Sequence, residues 1–336
     1  MRILSVFALL LSSAPCLWIA QAAAGASTPR EAIDRGLIAR AVGDGQVYLG
    51  WRLLASAPAG VAFNVYRQQA DKPAIKLNAE PIRQTTDFVD SAAPQEGECS
   101  WLVRSVVDGQ EGPAVSTPPV KDSPSNLPYV SIRLDGDHTF QKVGIADLDG
   151  DGRYDYVIKQ PNFNTDPYYK PGYWKKSEDT YKLEAYRADG KFLWRHDLGW
   201  SIEEGIWYSP YLVYDLDGDG KAEVAVKTGE GDPRDKDGRV WSGPEYLTIL
   251  DGQTGKPIAR IDWPSRDGFA EGRSELDAYN YAARNQLSVA YLDGKTPSLI
   301  VQRGTYNIMK TIAYQYRDGK LAELWRWDNT SAGKTY

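Results

Sequence analysis

Residues 146–159 read ADLDGDGRYDYVIK, residues 214–227 read YDLDGDGKAEVAVK, and residues 290–302 carry the worn version AYLDGKTPSLIVQ. In each, a glycine-punctuated turn runs into a short stretch of apolar and β-branched residues, the composition of a strand. A second element follows every copy: LEAYRADGKFLW (183–194), LTILDGQTGKPI (247–258) and IAYQYRDGKLAELW (312–325). Each of these reads as strand, Asp-Gly turn, strand, which is hairpin chemistry. Recurrence of one mostly-β unit at this pitch predicts all-β propeller blades enlarged by insertions, about three of them between residues 129 and 336.

The turns carry an unusual density of charge. The first places Asp147, Asp149, Asp151 and Asp155 at positions 1, 3, 5 and 9, with Gly152 at position 6; the second places Asp215, Asp217, Asp219 and Glu223 likewise, with Gly220 at position 6. Alternate oxygens of a tightly wound loop converge on one hard cation, the glycine permits the sharp turn, and the carbonyl of Arg153 or Lys221 at position 7 adds a ligand. Bound Ca²⁺ is therefore the expected neutraliser, in a structural role. An EF-hand needs a bidentate Glu at position 12 and helical flanks; here that position holds Ile158 or Val226, inside strand-like sequence. Solvated acidic turns without metal are the plainer alternative, against which two matching copies weigh. In the third copy Tyr291 replaces the first Asp and Lys295 follows the glycine, so the strands should persist there without an ion.

Upstream, residues 27–118 alternate apolar and polar residues in QVYLGWRLL, VAFNVYRQ, TTDFVD and CSWLVRSVVDG, broken by turn clusters. A small β-sandwich follows, with Trp51 on an early strand and Trp101 on a late one as core aromatics. No catalytic constellation stands out in it, and a structural or docking module is the expectation. The proline-rich segment 119–128 reads as a linker. At the N-terminus, Arg2, an apolar run and AQAAAGAS have the form of a signal peptide over residues 1–24, so a secreted or periplasmic protein is expected, with no membrane association after cleavage. Only Cys99 then remains of the two cysteines, so no internal disulfide is available. A formal charge of −6 argues against a nucleic-acid partner. The 11 Trp and 21 Tyr suit both β-structure and sugar stacking.

Four long insertions interrupt the repeats, at 160–178, 199–211, 228–245 and 264–286, all read as irregular loops. Loops on a rigid scaffold are where binding usually resides. Trp174, Trp207 and Tyr208 within them, with Arg303 on a repeat strand, are candidates for stacking on sugar rings and pairing with uronate carboxylates.

With VYDLDGDGKAEVAVKTGEGD and PEYLTILDGQTGK, the chain resembles the polysaccharide lyase family 11 rhamnogalacturonan lyases along its whole mature length. The resemblance implies a fibronectin-III-like sandwich followed by an eight-bladed, calcium-rich propeller. It also implies cleavage of the rhamnose–galacturonate bond of pectic rhamnogalacturonan I by β-elimination. Two departures stand out. Gln160-Pro161-Asn162 follows Lys159 where the family carries an aromatic and Asp-Pro, which predicts loss of a substrate-contacting Asp. The sequence also stops soon after the third hairpin, which predicts a truncated, incomplete arc with exposed Trp325 and Trp327, prone to aggregate and with little or no activity.

Elimination needs a base for the C5 proton, neutralisation of the uronate and an acid for the leaving oxygen. Of the two histidines, His196 falls on a hairpin strand and reads as a packing or edge residue, whereas His138 sits in the turn DGDHTF. Lys159 and Lys227 end matching strands, where a ring of blades would aim them at the central channel. These three are the catalytic candidates. A noncatalytic calcium propeller that binds glycans or protein is the alternative; a quinoprotein-like dehydrogenase lacks any cofactor signature.

Overall fold

A computed structural model of the chain describes residues 33–94, 96–121, 129 and 131–329. The expected signal peptide and most of the expected linker lie outside the described residues. Twenty strands, β1–β20, and one helix, α1, make up the regular structure of the described residues.

The first eight strands form two sheets. Strands β1 (Ile38–Gly43), β2 (Gln46–Gly50) and β5 (Asp87–Asp90) make one; β3 (Ala62–Gln69), β4 (Ile75–Lys76), β6 (Glu98–Val107), β7 (Gln110–Ser116) and β8 (Val120–Lys121) make the other. Strand alternation sends Val47 and Leu49 of the first sheet, and Val65, Cys99, Trp101 and Val103 of the second, into one shared core. The Trp101 indole donates to the Asp90 carboxylate at 3.0 Å, and Arg67 pairs with the same carboxylate at 2.8 Å, so the deepest polar group of this core is fully partnered. Trp51 lies one residue past β2 and meets the Phe63 ring edge-on at 5.3 Å. Asp44-Gly45 joins β1 to β2 and Asp108-Gly109 joins β6 to β7, both pairs left-handed, as a two-residue hairpin turn requires.

The remaining strands form three four-stranded antiparallel sheets, each in chain order. They are β9 (Lys142–Ala146), β10 (Asp155–Gln160), β11 (Lys182–Tyr186) and β12 (Phe192–Asp197); β13 (Tyr211–Tyr214), β14 (Glu223–Gly229), β15 (Glu245–Leu250) and β16 (Pro257–Asp262); and β17 (Asn285–Ala290), β18 (Ser298–Arg303), β19 (Lys310–Arg317) and β20 (Lys320–Asp328). The sheets pack face to face in sequence. Val224 and Val226 of β14 bury against Val157, Leu183 and Trp194 of the preceding sheet. Their neighbour Ala225, with Leu247 and Ile249 of β15, buries against Leu299, Val301 and Ile312 of the following one. Covered on both faces, the middle sheet has an unbroken apolar run, which is why EVAVK does not alternate. Each fully buried Val there contributes about 1.5–3 kcal/mol.

Polar contacts fix the stacking. Tyr211 Oη donates to the Val157 carbonyl at 2.9 Å, Trp194 Nε1 to Gly252 O at 2.8 Å, and the Ala222 amide to Asp147 O at 2.8 Å. Gly144 on β9 abuts the Val213 side chain so closely that a Cβ would overlap it. The sandwich joins the first repeat at its acidic turn: the Asp34 amide donates to Gly152 O at 2.7 Å, and the Arg52 guanidinium lies 5.0 Å from the Tyr154 ring centroid.

Insertion 264–286, expected to be irregular, contains α1 (Glu275–Ala282). Ser274 caps it by accepting from the Asp277 amide, with acidic residues in the first turn to complement the helix dipole. Ser-Glu-Leu-Asp is a helix start, but the helix is only 8 residues long and shows no clear apolar periodicity, so the sequence reads as irregular there. Trp325 and Trp327 on β20 are 41% and 39% exposed. Among the described residues, no helix is long and apolar enough to cross a membrane.

Candidate functional site

Both acidic loops fold the same way. In the first, the Asp147 carboxylate accepts from the Gly150 and Gly152 amides at 2.7 Å each, and Asp155 Oδ2 accepts from the Leu148 amide at 3.1 Å. In the second, Asp215 accepts from Gly218 and Gly220 at 2.7 and 3.1 Å, and Glu223 from Leu216 at 2.9 Å. The position-6 glycines, Gly152 and Gly220, have φ of 84° and 91°, a conformation other residues rarely adopt.

Oxygen atoms of Asp147, Asp149 and Asp155 lie within 4.8 Å of one another, as do those of Asp215, Asp217 and Glu223. Asp151 and Asp219 accept from the Arg153 and Lys221 amides at 2.8 Å and lie outside the close clusters, which hold three acids of the expected four. Burial, reinforced by the neighbouring aspartates, pushes the Asp155 carboxyl up to about 6 and Glu223 up to about 8. Carboxyls this reluctant to ionise are what a cation would correct, and an all-oxygen donor set fits a hard divalent ion. The two clusters could therefore hold metal ions. At the third copy, Tyr291 Oη hydrogen-bonds Tyr214 Oη at 2.7 Å, a neutral contact where the other copies place an acid.

The strand-end cations converge on the interior. Lys227 Nζ lies 2.9 Å from Glu245, Arg266 reaches the same carboxylate at 2.9 Å, and Arg303 donates to it as well. Burial alone would raise Glu245, but Lys227, Arg303 and Arg266 together hold its carboxyl well below the ordinary range. Burial lowers Lys227 despite Glu245, and pushes Arg303 down to about 10. Nearby, Glu203 accepts from Tyr279 Oη and the Val240 amide, both at 2.8 Å, and burial raises it.

Lys159 is buried differently. Its Nζ donates to the Ser209 carbonyl at 2.5 Å and sits 4.3 Å from the Tyr181 ring centroid. Burial, with Lys142 and Lys227 adding repulsion, drives it well below the ordinary lysine range, towards the neutral amine. His138 Nε2 is 3.0 Å from Glu184, which also takes hydrogen bonds from Tyr186 at 2.7 Å, Arg195 at 2.5 Å and Gln160 at 3.1 Å. Burial alone would raise Glu184, yet these donors hold it below its usual value. Sequence reasoning passed over Glu184, Glu203, Glu245 and Arg266. A signal existed for Glu184, an acid inside the otherwise apolar strand KLEAY.

The insertions pack on one another. Trp174 and Tyr208 join Tyr279 and Trp241 in an aromatic cluster, with the Arg239 guanidinium 4.4 Å from the Trp174 ring centroid. Trp207 donates to Asp166 at 3.2 Å beneath Arg284, which itself pairs with Asp166 at 2.7 Å. Among the expected sugar contacts, Trp174 and Trp207 are half-buried, whereas Tyr208 and Arg303 are 2% and 0% exposed.

Comparison with known proteins bears on this arrangement. Residues 124–336 match the family described as "Rhamnogalacturonan lyase family 11, C-terminal domain", and residues 28–120 match "Rhamnogalacturonan I lyases beta-sheet domain". The chain is 38% identical over 339 residues to rhamnogalacturonan endolyase YesW of Bacillus subtilis (strain 168), covering 93% of this chain and 52% of that protein. It is 33% identical over 331 residues to rhamnogalacturonan exolyase YesX of the same organism, covering 90% and 51%. The crystal structure of YesW superposes with a TM-score of 0.79 at 37% identity, covering 92% of this chain and 54% of that one. A Bacillus licheniformis rhamnogalacturonan lyase superposes at 0.80 and 33%, covering 91% and 54%. The chain thus spans about half the length of the curated relatives it matches. Because family models match both halves of the sequence, the chain belongs to the family 11 rhamnogalacturonan lyases.

Proposed function

We propose that the chain is a rhamnogalacturonan lyase-type protein that engages the rhamnogalacturonan I backbone of pectin. The chemistry associated with it is β-elimination at the rhamnose–galacturonate bond. The observation that carries this reading is the family match, which runs through both halves of the chain with 38% identity to a named endolyase. The same reading takes residues 27–118 as a fibronectin-III-like sandwich, 119–128 as a linker and 129–336 as propeller blades. Three consecutive four-stranded meanders packed face to face support that geometry. Export rests on the signal-like composition of residues 1–24.

Ca²⁺ is the ion assigned to both loops, held by Asp147, Asp149 and Asp155 and by Asp215, Asp217 and Glu223. When bound, it supplies charge neutralisation rather than chemistry on the polymer. Of the candidate proton carriers, Lys159 has the character of a base, because its environment favours the neutral amine. It is 1% exposed, however, while Lys227 is tied to Glu245 and His138 to Glu184. None of the three is free to reach a C5 proton, so these residues alone give little or no elimination.

Two readouts test the proposal: binding of rhamnogalacturonan I by affinity electrophoresis, and formation of unsaturated uronate by ultraviolet absorbance. Retarded migration with absorbance at or near the uncatalysed rate is expected. Unretarded migration together with no absorbance would sink the reading. Rapid elimination abolished by Lys159→Met would overturn the inference that burial silences the lysine.

A further inference from the structure

Each four-stranded meander turns back at its acidic loop, or the worn copy of it, and again at its Asp-Gly hairpin, both at one end of the sheet. Antiparallel order sends the connections between second and third strands, and those from sheet to sheet, to the opposite end. The four insertions gather there, together with the short connection from β18 to β19 at residues 304–309. In the middle of that connection Tyr306 has φ of 64°. Among the described residues, the other non-glycine positions with a left-handed backbone are Asp44, Asp108 and Asp318, each in an Asp-Gly turn, and Ala70 just after β3. A tyrosine in this conformation is strained, and it persists only where its surroundings dictate it. Here they do. The Gly304 amide donates to the Arg284 carbonyl at 2.6 Å, and Asn329, 3% exposed, donates to the Asn307 carbonyl and accepts from the Met309 amide at 3.0 Å.

The ring held at this cost is not spent on packing. Tyr306 is 65% exposed. Behind it, the Arg284 guanidinium lies 5.3 Å from its ring centroid and 5.0 Å from that of Trp207, while the Tyr281 ring stands 5.8 Å away at a tilt of 58°. Arg284 is already paired with Asp166 at 2.7 Å and donates to Asn280 at 3.0 Å, so it props the ring and has no need of a further counter-ion. Strain accepted for an exposed side chain points to recognition. Within the insertions and this connection, the large apolar side chains left exposed are Tyr169, Tyr173 and Tyr306, with Leu276 of α1 at the margin. A protein partner calls for a continuous apolar patch. Tyrosine rings set among charged groups such as Lys170 and Arg284 do not form one.

We propose that Tyr306, propped by Arg284 and flanked by Tyr281, is a stacking platform for one pyranose ring of a polysaccharide lying across the insertion end. A pyranose is apolar over its C–H face and hydroxylated at its rim, which matches a ring that is apolar in body and polar at its tip. The sugar contact expected at Arg303, which is fully buried, thus falls three residues later. That the polymer is pectic rests on the function proposed above.

Affinity electrophoresis of the full chain in rhamnogalacturonan I, with melting curves of the same samples, tests it. Tyr306→Gly removes the ring and relieves the backbone, so affinity is expected to fall about tenfold while Tm stays level or rises. Tyr306→Trp is expected to keep the affinity. The loss in Tyr306→Gly should be equal in low and high salt, because stacking needs no charge. Tyr306→Asn also accepts a left-handed backbone and decides the matter if the glycine variant fails to fold. Wild-type migration that the polymer does not retard sinks the lyase reading and the platform together. Retardation unchanged in Tyr306→Gly, a loss confined to low salt, or a Tm lowered in step with affinity in both variants would overturn the platform and leave that reading standing.

Discussion

Removing divalent cations should make the protein's stability fall as pH rises, and restoring Ca²⁺ should erase that slope. Without an ion, burial and neighbouring aspartates raise Glu223 to about 8 and Asp155 to about 6, against about 4.3 and 3.9 in an unfolded chain. A group whose pKa is raised by folding contributes stability that is complete below its unfolded value and is lost as pH rises through its folded value. The chelated protein is thus most stable near pH 4 as far as these two groups are concerned, losing the Asp155 share by about pH 6 and the Glu223 share by about pH 8. At about 1.4 kcal/mol per unit, less screening at the loop mouths, the loss is on the order of 3 kcal/mol for Glu223 and somewhat less for Asp155. Ca²⁺ bound as proposed would hold both groups ionised and add its own binding free energy. The calcium-dependent shift in Tm should therefore widen from pH 5 to pH 8, by roughly 2–4 °C per kcal/mol. Melting curves with chelator and with excess Ca²⁺ across that range measure it. An equal shift at pH 5 and pH 8 would refute the premise that these carboxyls resist ionisation until an ion arrives.

Asp149→Ala and Asp217→Ala should each lower the bound-metal stoichiometry by one, read by metal analysis; unchanged counts in both would dismiss the loops as ion sites. Glu245→Gln leaves Lys227, Arg266 and Arg303 facing one another in the interior without their common counter-charge. It should cost about 3–5 kcal/mol in chemical denaturation, relieved at high pH as Lys227 gives up its proton. Gly144→Val should collide with Val213 and destabilise the packing of the β9–β12 sheet on the β13–β16 sheet by roughly 1–3 kcal/mol or more, whereas Gly172→Val, in open space, should affect only its own strained turn.

The acidic loops, the hairpins and the sandwich strands were legible because local rules decide them. Spaced acids with glycine at position 6 describe a turn, and Asp-Gly between alternating runs describes a hairpin. Even Trp101 could be placed in a core, although Trp51 proved to lie one residue past its strand. What was not legible depends on partners distant in sequence. Nothing in the strand EVAVK announces that Lys227 meets Glu245 at 2.9 Å, or that Arg303 closes on the same carboxylate from the following sheet. A lysine ending an apolar strand reads equally well as a channel residue. Its burial is decided by insertions whose folded path no periodicity records. The short helix escaped for the opposite reason, having a good cap but too few turns to show a face.

The hydrogen bond from the Ala222 amide to the Asp147 carbonyl gives the repeat array a direction. Asp147 opens the first acidic loop, and Ala222 immediately precedes Glu223, which closes the second. Ordering one loop therefore presents an acceptor at the spot where its successor must turn. In a chain leaving the ribosome N-terminus first, the residues of the earlier loop emerge before those of the later one, so the acceptor is available before its donor is made. A defect in the first loop removes an acceptor that the second loop uses, while the reverse defect leaves the first loop with its own amide-to-carboxylate hydrogen bonds intact.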